Sequence, residues 1–316
     1  MANPTEDEIL GWLQSLSNWG RWGPDDQLGT LNHVTEAKRK QAAATVTEGI
    51  SVSCAWDIET TRQPDQAMGT PTRFMIGTGE GLNDPDRPGG VSRWGGAMEH
   101  IGLVFHGFSV THLDGLSHIF WEGKMYNGIP AAKVTAAQGA THHGITALSQ
   151  GVVSRGVLLD VARSKGVNWL EPGYGVGPED LDAAAAAQGV TIEPGDIVLL
   201  RTGYGRKKRE VGREALPGAG FPGWHASALP WIHEKSVAVI GADTAQDAAP
   251  SGYPKLALPV HLVGIVAMGL WLIDNMNLEE LASTCERLNR WTFQFVLSPL
   301  RVQGGTGSPA NPLALF

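Results

Sequence analysis

The stretch His106–Gly128, HGFSVTHLDGLSHIFWEGKMYNG, holds three histidines at six-residue intervals, His106, His112 and His118, with Asp114 between the last two. His112 and Asp114 are two apart, so on an extended strand both side chains leave the same face. A strand that delivers an imidazole and a carboxylate to one point is a common way of building a metal site. The apolar run before it, Ile101–Phe105, reads as the strand feeding that point. Three solvent-facing histidines and a turn aspartate are the plainer alternative.

Outward from this centre, the chain reads as strands alternating irregularly with helices. Val152–Val161 is a near-continuous apolar run of the kind buried on both faces of a sheet. Pro178–Gln188 reads as a helix, with Pro at its start, acidic residues in its first turn and Gly189 just beyond its end. The turn EPGD, Glu193–Asp196, hands over to the strand IVLLRTG. Ser227–Lys235 looks helical, Val237–Asp243 extended, Leu278–Leu288 helical with Asn277 as its cap, and TFQFVL is a last strand. Before the centre, Thr5 and Glu8 make a capping box for a short amphipathic helix. A second helix is expected at Thr35–Ala44 and a strand at Gly49–Trp56. Gln63–Gly95 is loop-rich, of a length usual for a lid or an interface arm. No repeat and no composition break appear. The expected fold is one α/β domain over residues 1–316, with a mixed sheet partly closed into a barrel and residues 1–50 as an N-terminal helical extension.

Composition narrows the function classes. Hydrophobic content of 42% and charged content of 18% fit a globular chain with a sizeable core. The net charge of −8, with one short basic run at Arg206–Glu210, argues against nucleic-acid binding; that run reads as a solvated loop. Two cysteines, Cys54 and Cys285, cannot build a disulfide framework, which fits a reducing, cytoplasmic setting. The acidic N-terminus lacks a signal-peptide core, and no run of about 18 apolar residues suggests a membrane span. Forty-one glycines and 19 prolines imply many turns.

Other constellations are weaker. The glycine-rich spots near Gly77, Gly173 and Gly304 lack phosphate-loop spacing and read as turns or close packing. G-x-S-x-G is absent. His142 and His143, adjacent in a turn-rich stretch, read as surface residues, with one of them reaching a site as the alternative, and His225 and His233 carry no assigned chemistry. Ala257–Asn277 is different. His261 opens an apolar run that ends in Asp274 and Asn275, and a carboxylate there must be solvated, paired or metal-bound.

With these residues in view, the chain resembles the cyclase-like metal-dependent hydrolases, the family of bacterial kynurenine formamidase and isatin hydrolase. Their signature, H-x-G-T-H-x-D-x-P-x-H, falls on Phe108–His118, and the likeness runs on through RGVLLDV, EPGDIVLLRTG, VIGADT and the His261–Asn275 segment. THLDGLSH followed by MYNG looks like a longer branch of that family. The resemblance implies a mixed α/β fold around a partly closed barrel, one divalent metal ion (zinc or manganese), and a homodimer or homotetramer. It would make His112, Asp114, His261 and Asp274 ligands and His118 the acid/base. The departure is Phe108, which occupies the signature's first histidine. His106 shares the face of His112 on an extended strand, yet six residues span about 20 Å, too far for one ion unless the chain bends sharply, so it is expected in substrate binding. Trp121, Tyr126 and Asn127, with Phe108, are expected to line the substrate pocket. Trp121, Tyr126 and Asn127 have core packing and a turn as the alternative. The implied reaction is hydrolysis of a C–N bond in a small amide, lactam or imide, with a lactone or ester next. A metal-independent elimination or cyclisation, and a binding protein on a degenerate scaffold, are the rival readings.

Overall fold

Runs rich in Val, Ile and Leu build the centre of the molecule. The computed structural model describes residues 3–213 and 220–316. In chain order the strands of three or more residues are β1 (Ser51–Ser53), β2 (Thr72–Gly77), β3 (Met98–Gly102), β4 (His112–Asp114), β5 (Val152–Asp160) and β6 (Ile197–Arg201). They continue as β7 (Val239–Ala242), β8 (Trp271–Asp274), β9 (Thr292–Leu297), β10 (Gly307–Pro309) and β11 (Leu313–Leu315). The main helices are α1 (Glu6–Ser15), α2 (Glu36–Ala43), α3 (Pro178–Gln188), α4 (Tyr204–Glu210), α5 (Ala228–Glu234) and α6 (Glu279–Leu288). Nine strands form one mixed sheet in the order β1-β11-β9-β5-β6-β7-β8-β4-β10, curled into a half-barrel with helices around it. The expected class, a single mixed α/β domain, is the observed one.

β5 through β8 run parallel and β4 lies antiparallel beside β8. Every residue of β6, β7 and β8 is buried, which is why these strands read as unbroken apolar runs rather than alternating ones. α3 ends as its sequence demands: Gly189 takes the left-handed conformation, φ 64°, that closes the helix.

The EPGD turn is fixed by a buried carboxylate. Asp196 is fully buried and accepts from Arg155 Nε at 2.9 Å, Arg155 Nη2 at 2.6 Å and the Glu193 backbone N–H at 2.8 Å. Lys38 Nζ on α2 lies 2.6 Å from its other side. Removing one partner of such a set leaves buried charge uncompensated. Asp196→Ala is therefore expected to cost about 3–5 kcal/mol, read as a lower urea midpoint at unchanged slope.

Several local expectations are corrected. Ile101–Phe105 is not a sheet strand: only Ile101 and Gly102 are extended, in a separate two-stranded hairpin of β2 and β3, and Val104 is exposed. The basic run is not a loop but helix α4, whose Lys208 is buried 3.5 Å from Asp65. Asn277 does not cap α6; Leu278 holds that position, and Asn277 Oδ1 accepts from Arg209. In the first and second of these, a distant segment settles the outcome, and no local pattern reports it.

Between β7 and β8 the chain makes one turn of helix, Pro259–His261, and continues as a π-helix, Leu262–Met268, buried throughout. A π-helix misplaces backbone carbonyls relative to an α-helix, and such segments recur at functional sites. The N-terminal segment supplies the missing donors. Asn18 Nδ2 donates to the Met268 carbonyl at 2.8 Å and Trp19 Nε1 to that of Val266 at 2.7 Å. Gly269 closes the element at φ 66°, with the Tyr126 ring so near that a Cβ would lie 2.5 Å from it. The wrapping segment thus holds the element that joins His261 to Asp274. No described helix is long and apolar enough to cross a membrane.

Candidate metal centre

Strand pairing brings the site's side chains to one face. β8 pairs β4 with Asp274 opposite His112 and Leu272 opposite Asp114, so His112, Asp114 and Asp274 share a face of the sheet. His261, at the mouth of the π-helix, points its Nε2 at both carboxylates: 3.4 Å from Asp114 Oδ2 and 3.5 Å from Asp274 Oδ2. His112 Nε2 lies 3.4 Å from Asp114 Oδ1 and 3.9 Å from Asp274 Oδ2. All four are at most 4% exposed.

His106 joins them, because the chain makes the sharp bend that an extended strand would lack. The chain leaves the extended conformation before β4, turning at Gly107 (φ 142°). Asn275 Nδ2 pins that bend, donating to the carbonyls of Gly107 at 2.7 Å and Val110 at 3.2 Å. His106 Nδ1 consequently reaches within 2.8 Å of Asp114 Oδ1. Two groups of possible ligands result, His106–His112–Asp114 and Asp114–His261–Asp274, sharing Asp114. The imidazole two residues before Phe108 thus occupies the neighbourhood that Phe108 leaves without a ligand. Phe108 itself turns away, its ring 5.6 Å from that of Phe221 in a small cluster with Tyr204.

Three imidazoles are held by their outer ring nitrogen. His112 Nδ1 donates to the Val110 carbonyl at 2.8 Å, His261 Nδ1 meets Asp247 Oδ2 at 2.6 Å, and His106 Nε2 meets Thr306 Oγ1 at 3.2 Å. Each leaves its inner nitrogen facing the carboxylates. Yet both oxygens of Asp114, Oδ1 of Asp274 and Nδ1 of His106 are buried without a hydrogen bond, so the groups converge without being aligned on one another. Buried carboxylates in that state require a cation or protonated neighbours. Burial works against a charged His112, but Asp114 and Asp274 outweigh it and hold its pKa up at about 9. His261 is likewise raised, burial being overcome by Asp274, Asp114 and Asp247. Burial favours a neutral Asp114, and the facing histidines override it, holding the carboxyl well below its usual range. This donor set fits a divalent ion, whose charge would take the place of those protons.

His118 stands at the open edge, 26% exposed, its ring stacked parallel on His106 at 3.9 Å and its Nε2 3.9 Å from Asp114 Oδ1. Burial, against the pull of Asp114, drops its pKa to about 4. The remaining residues expected at the pocket are placed elsewhere. Tyr126 is buried and donates its hydroxyl to Asp26 Oδ2 at 3.0 Å. Asn127 donates to the carbonyls of Gly23 and Pro24, and Trp121 packs beside the core near α1. These three brace the N-terminal segment. His143, expected on the surface, is fully buried with Nε2 on the Tyr126 carbonyl at 2.9 Å.

Asp247 and Thr306 escaped the sequence reading. Thr306 lies in the third glycine-rich spot, where β10 pairs with β4. Asp247 is 14 residues from His261 with no motif between them. Its carboxylate also takes the backbone N–H of Val260 at 2.7 Å and of His261 at 3.2 Å. Such outer partners typically carry 10–100-fold in metal affinity. Asp247→Asn is expected to weaken metal binding by about that factor in competition with a chromophoric chelator; unchanged affinity would remove Asp247 from the site.

Comparison with known proteins identifies relatives of this fold. The family model "Putative cyclase" matches residues 31–247. A crystal structure of a novel cyclase is 33% identical, with a TM-score of 0.85, covering 96% of this chain and 99% of its own. Isatin hydrolase A from Labrenzia aggregata, bound to benzyl benzoate, is similar in fold at 19% identity and a TM-score of 0.59, over 86% of this chain and 94% of its own. A predicted metal-dependent hydrolase from Bacillus stearothermophilus gives 17% identity and a TM-score of 0.51, over 85% and 98%. A search of curated proteins found no match.

Proposed function

The chain belongs to the cyclase family, and on that premise we propose that it is a hydrolase that holds one divalent ion and opens a C–N bond in a small amide, lactam or imide. The observation that carries the reading is the convergence of three outer-held imidazoles on two buried carboxylates, three of whose oxygens (both of Asp114 and Oδ1 of Asp274) lack hydrogen bonds. Asp114, His261 and Asp274 would hold the ion, with His112 completing the set and His106 on the far side of Asp114. When bound, such an ion supplies Lewis acidity, polarising a carbonyl and making water acidic enough to attack near neutral pH.

The chain's own residues supply the rest. Solvent and substrate reach the cluster past His106 and His118, the two exposed members. His118 takes the proton of the attacking water on Nε2 and returns it to the departing nitrogen, which leaves as an amine or amide N–H. The stack on His106 keeps that imidazole facing Asp114 while it carries the proton. The sheet face behind it is dry, so competing water enters only at the open edge.

The test is metal analysis of the purified protein followed by a panel of small amides, imides, lactams and lactones. Hydrolysis that a chelator removes and zinc or manganese restores is the expected result. A metal-loaded protein inert on the whole panel, or activity indifferent to the chelator, would overturn the assignment.

A further inference from the structure

Helix α4 and the turn at residues 63–69 meet in a cluster that has more donors than acceptors. Lys208, Arg209 and Arg213 gather around the Trp56 ring, their cationic groups 5.8, 5.4 and 5.8 Å from its centroid. Asp65, 2% exposed, is set against them, but loosely: Arg213 Nη1 lies 3.2 and 3.3 Å from its two oxygens and Lys208 Nζ 3.5 Å from one of them. A carboxylate in a close ion pair is held at about 2.7–2.9 Å. Asp243 also acts on Lys208, but its Oδ1 is taken by the hydroxyl and backbone N–H of Thr202. The Trp56 Nε1–H and the Thr244 hydroxyl are buried with no hydrogen-bond partner. An indole N–H can only donate, so the cluster is short of an acceptor.

We infer that this cluster recognises a carboxylate of the substrate, which takes the place of Asp65 on Lys208 and Arg213. Asp65 lines a cleft together with Phe108, Tyr204, Phe221, Thr244 and Asn275. Phe108 stands two residues after His106 and Asn275 next to Asp274, so the cleft borders the candidate metal centre. Its rings, Phe221 5.6 Å from Phe108 and 6.4 Å from Tyr204, suit a flat apolar body, and the Tyr204 ring lies 5.1 Å from Lys208 Nζ. The cleft is closed down to about 10 Å³, room for no more than one water, so a ligand enters as Asp65 and its turn withdraw. A carboxylate is the anion that fits because one already stands there, between a guanidinium fork and an ammonium point charge. The substrate class that follows is an amide, lactam or imide with a flat body and a carboxylate. The inference rests on the hydrolytic reading above for the fate of the C–N bond, whereas the binding it requires is read without turnover.

The test is titration calorimetry and thermal melting of the metal-loaded protein with benzoate, and with benzyl alcohol as its uncharged counterpart. The wild type is expected to prefer benzoate by about tenfold, the weight of one charge-assisted hydrogen bond, and Arg213→Met to lose that preference. Asp65→Asn removes the occupant. It is expected to melt below the wild type, to bind benzoate about tenfold more tightly, and to regain its midpoint when benzoate is added. The double variant Asp65→Asn with Lys208→Met, neutral on both sides, is expected to fold and to lose that gain. An Asp65 that only braced the fold would give the opposite sign, a weakened site that benzoate does not restore, and this would overturn the inference. So would benzoate bound no better than benzyl alcohol by both the wild type and Asp65→Asn. A benzoate preference that survives Arg213→Met and the double variant but vanishes with a chelator would put the carboxylate on the metal ion instead. A protein inert on the amide panel that still shows the expected shifts keeps the carboxylate site and loses only the hydrolytic reading.

Discussion

Asp114→Asn is expected to leave the protein folded but with less than about one-tenth of its wild-type metal content. Asp114 is the one residue common to both candidate ligand groups, and both of its oxygens are buried without a hydrogen bond. An amide keeps the shape and loses the charge, so neither group can neutralise a divalent ion as before. Since losing even an outer-sphere partner weakens binding 10–100-fold, loss of a shared ligand should exceed that range. His261→Ala is expected to remove the metal as completely, because Asp114, His261 and Asp274 are the group buried on every side. Elemental analysis after gel filtration reads both results. Full metal content in His261→Ala would put the ion on the His106–His112 side instead, and full content in Asp114→Asn would mean that neither group is the site.

His118→Ala is expected to lower turnover by about 10²–10⁴-fold, the usual worth of a positioned acid/base, while metal content and thermal midpoint stay near wild type. The separation of effects follows from position. His118 is the cluster's most exposed member and belongs to neither ligand group. It touches the site through the His106 ring and a 3.9 Å approach to Asp114. A variant with wild-type turnover would sink the acid/base role. One that also lost its metal would make His118 a structural member of the centre.

Much of the architecture was legible because burial writes itself into local pattern. β6 lies between two parallel neighbours and is buried along its whole length, so its residues had to be mostly apolar. α3 carries Pro at its first position and Gly189 just past its end because helix ends need those backbone conformations wherever they occur. His112 and Asp114 fell on one face because strand geometry repeats every two residues.

What the sequence by itself determined, then, was the elements and the chemistry available on them: an α/β chain with a His/Asp strand and a second His and Asp bracketing a buried run. Which groups meet was decided only by tertiary structure. Asp274 stands opposite His112 through strand register, His261 approaches through a π-helix that needs carbonyl partners from residues 18 and 19, and His106 arrives because Asn275 pins a bend 168 residues away in sequence. Tyr126 and Asn127 left the pocket for the N-terminal segment for the same reason. Local propensity acts over a few residues, whereas a site is fixed by hydrogen bonds and burial among segments hundreds of residues apart, and those leave no periodic trace along the chain.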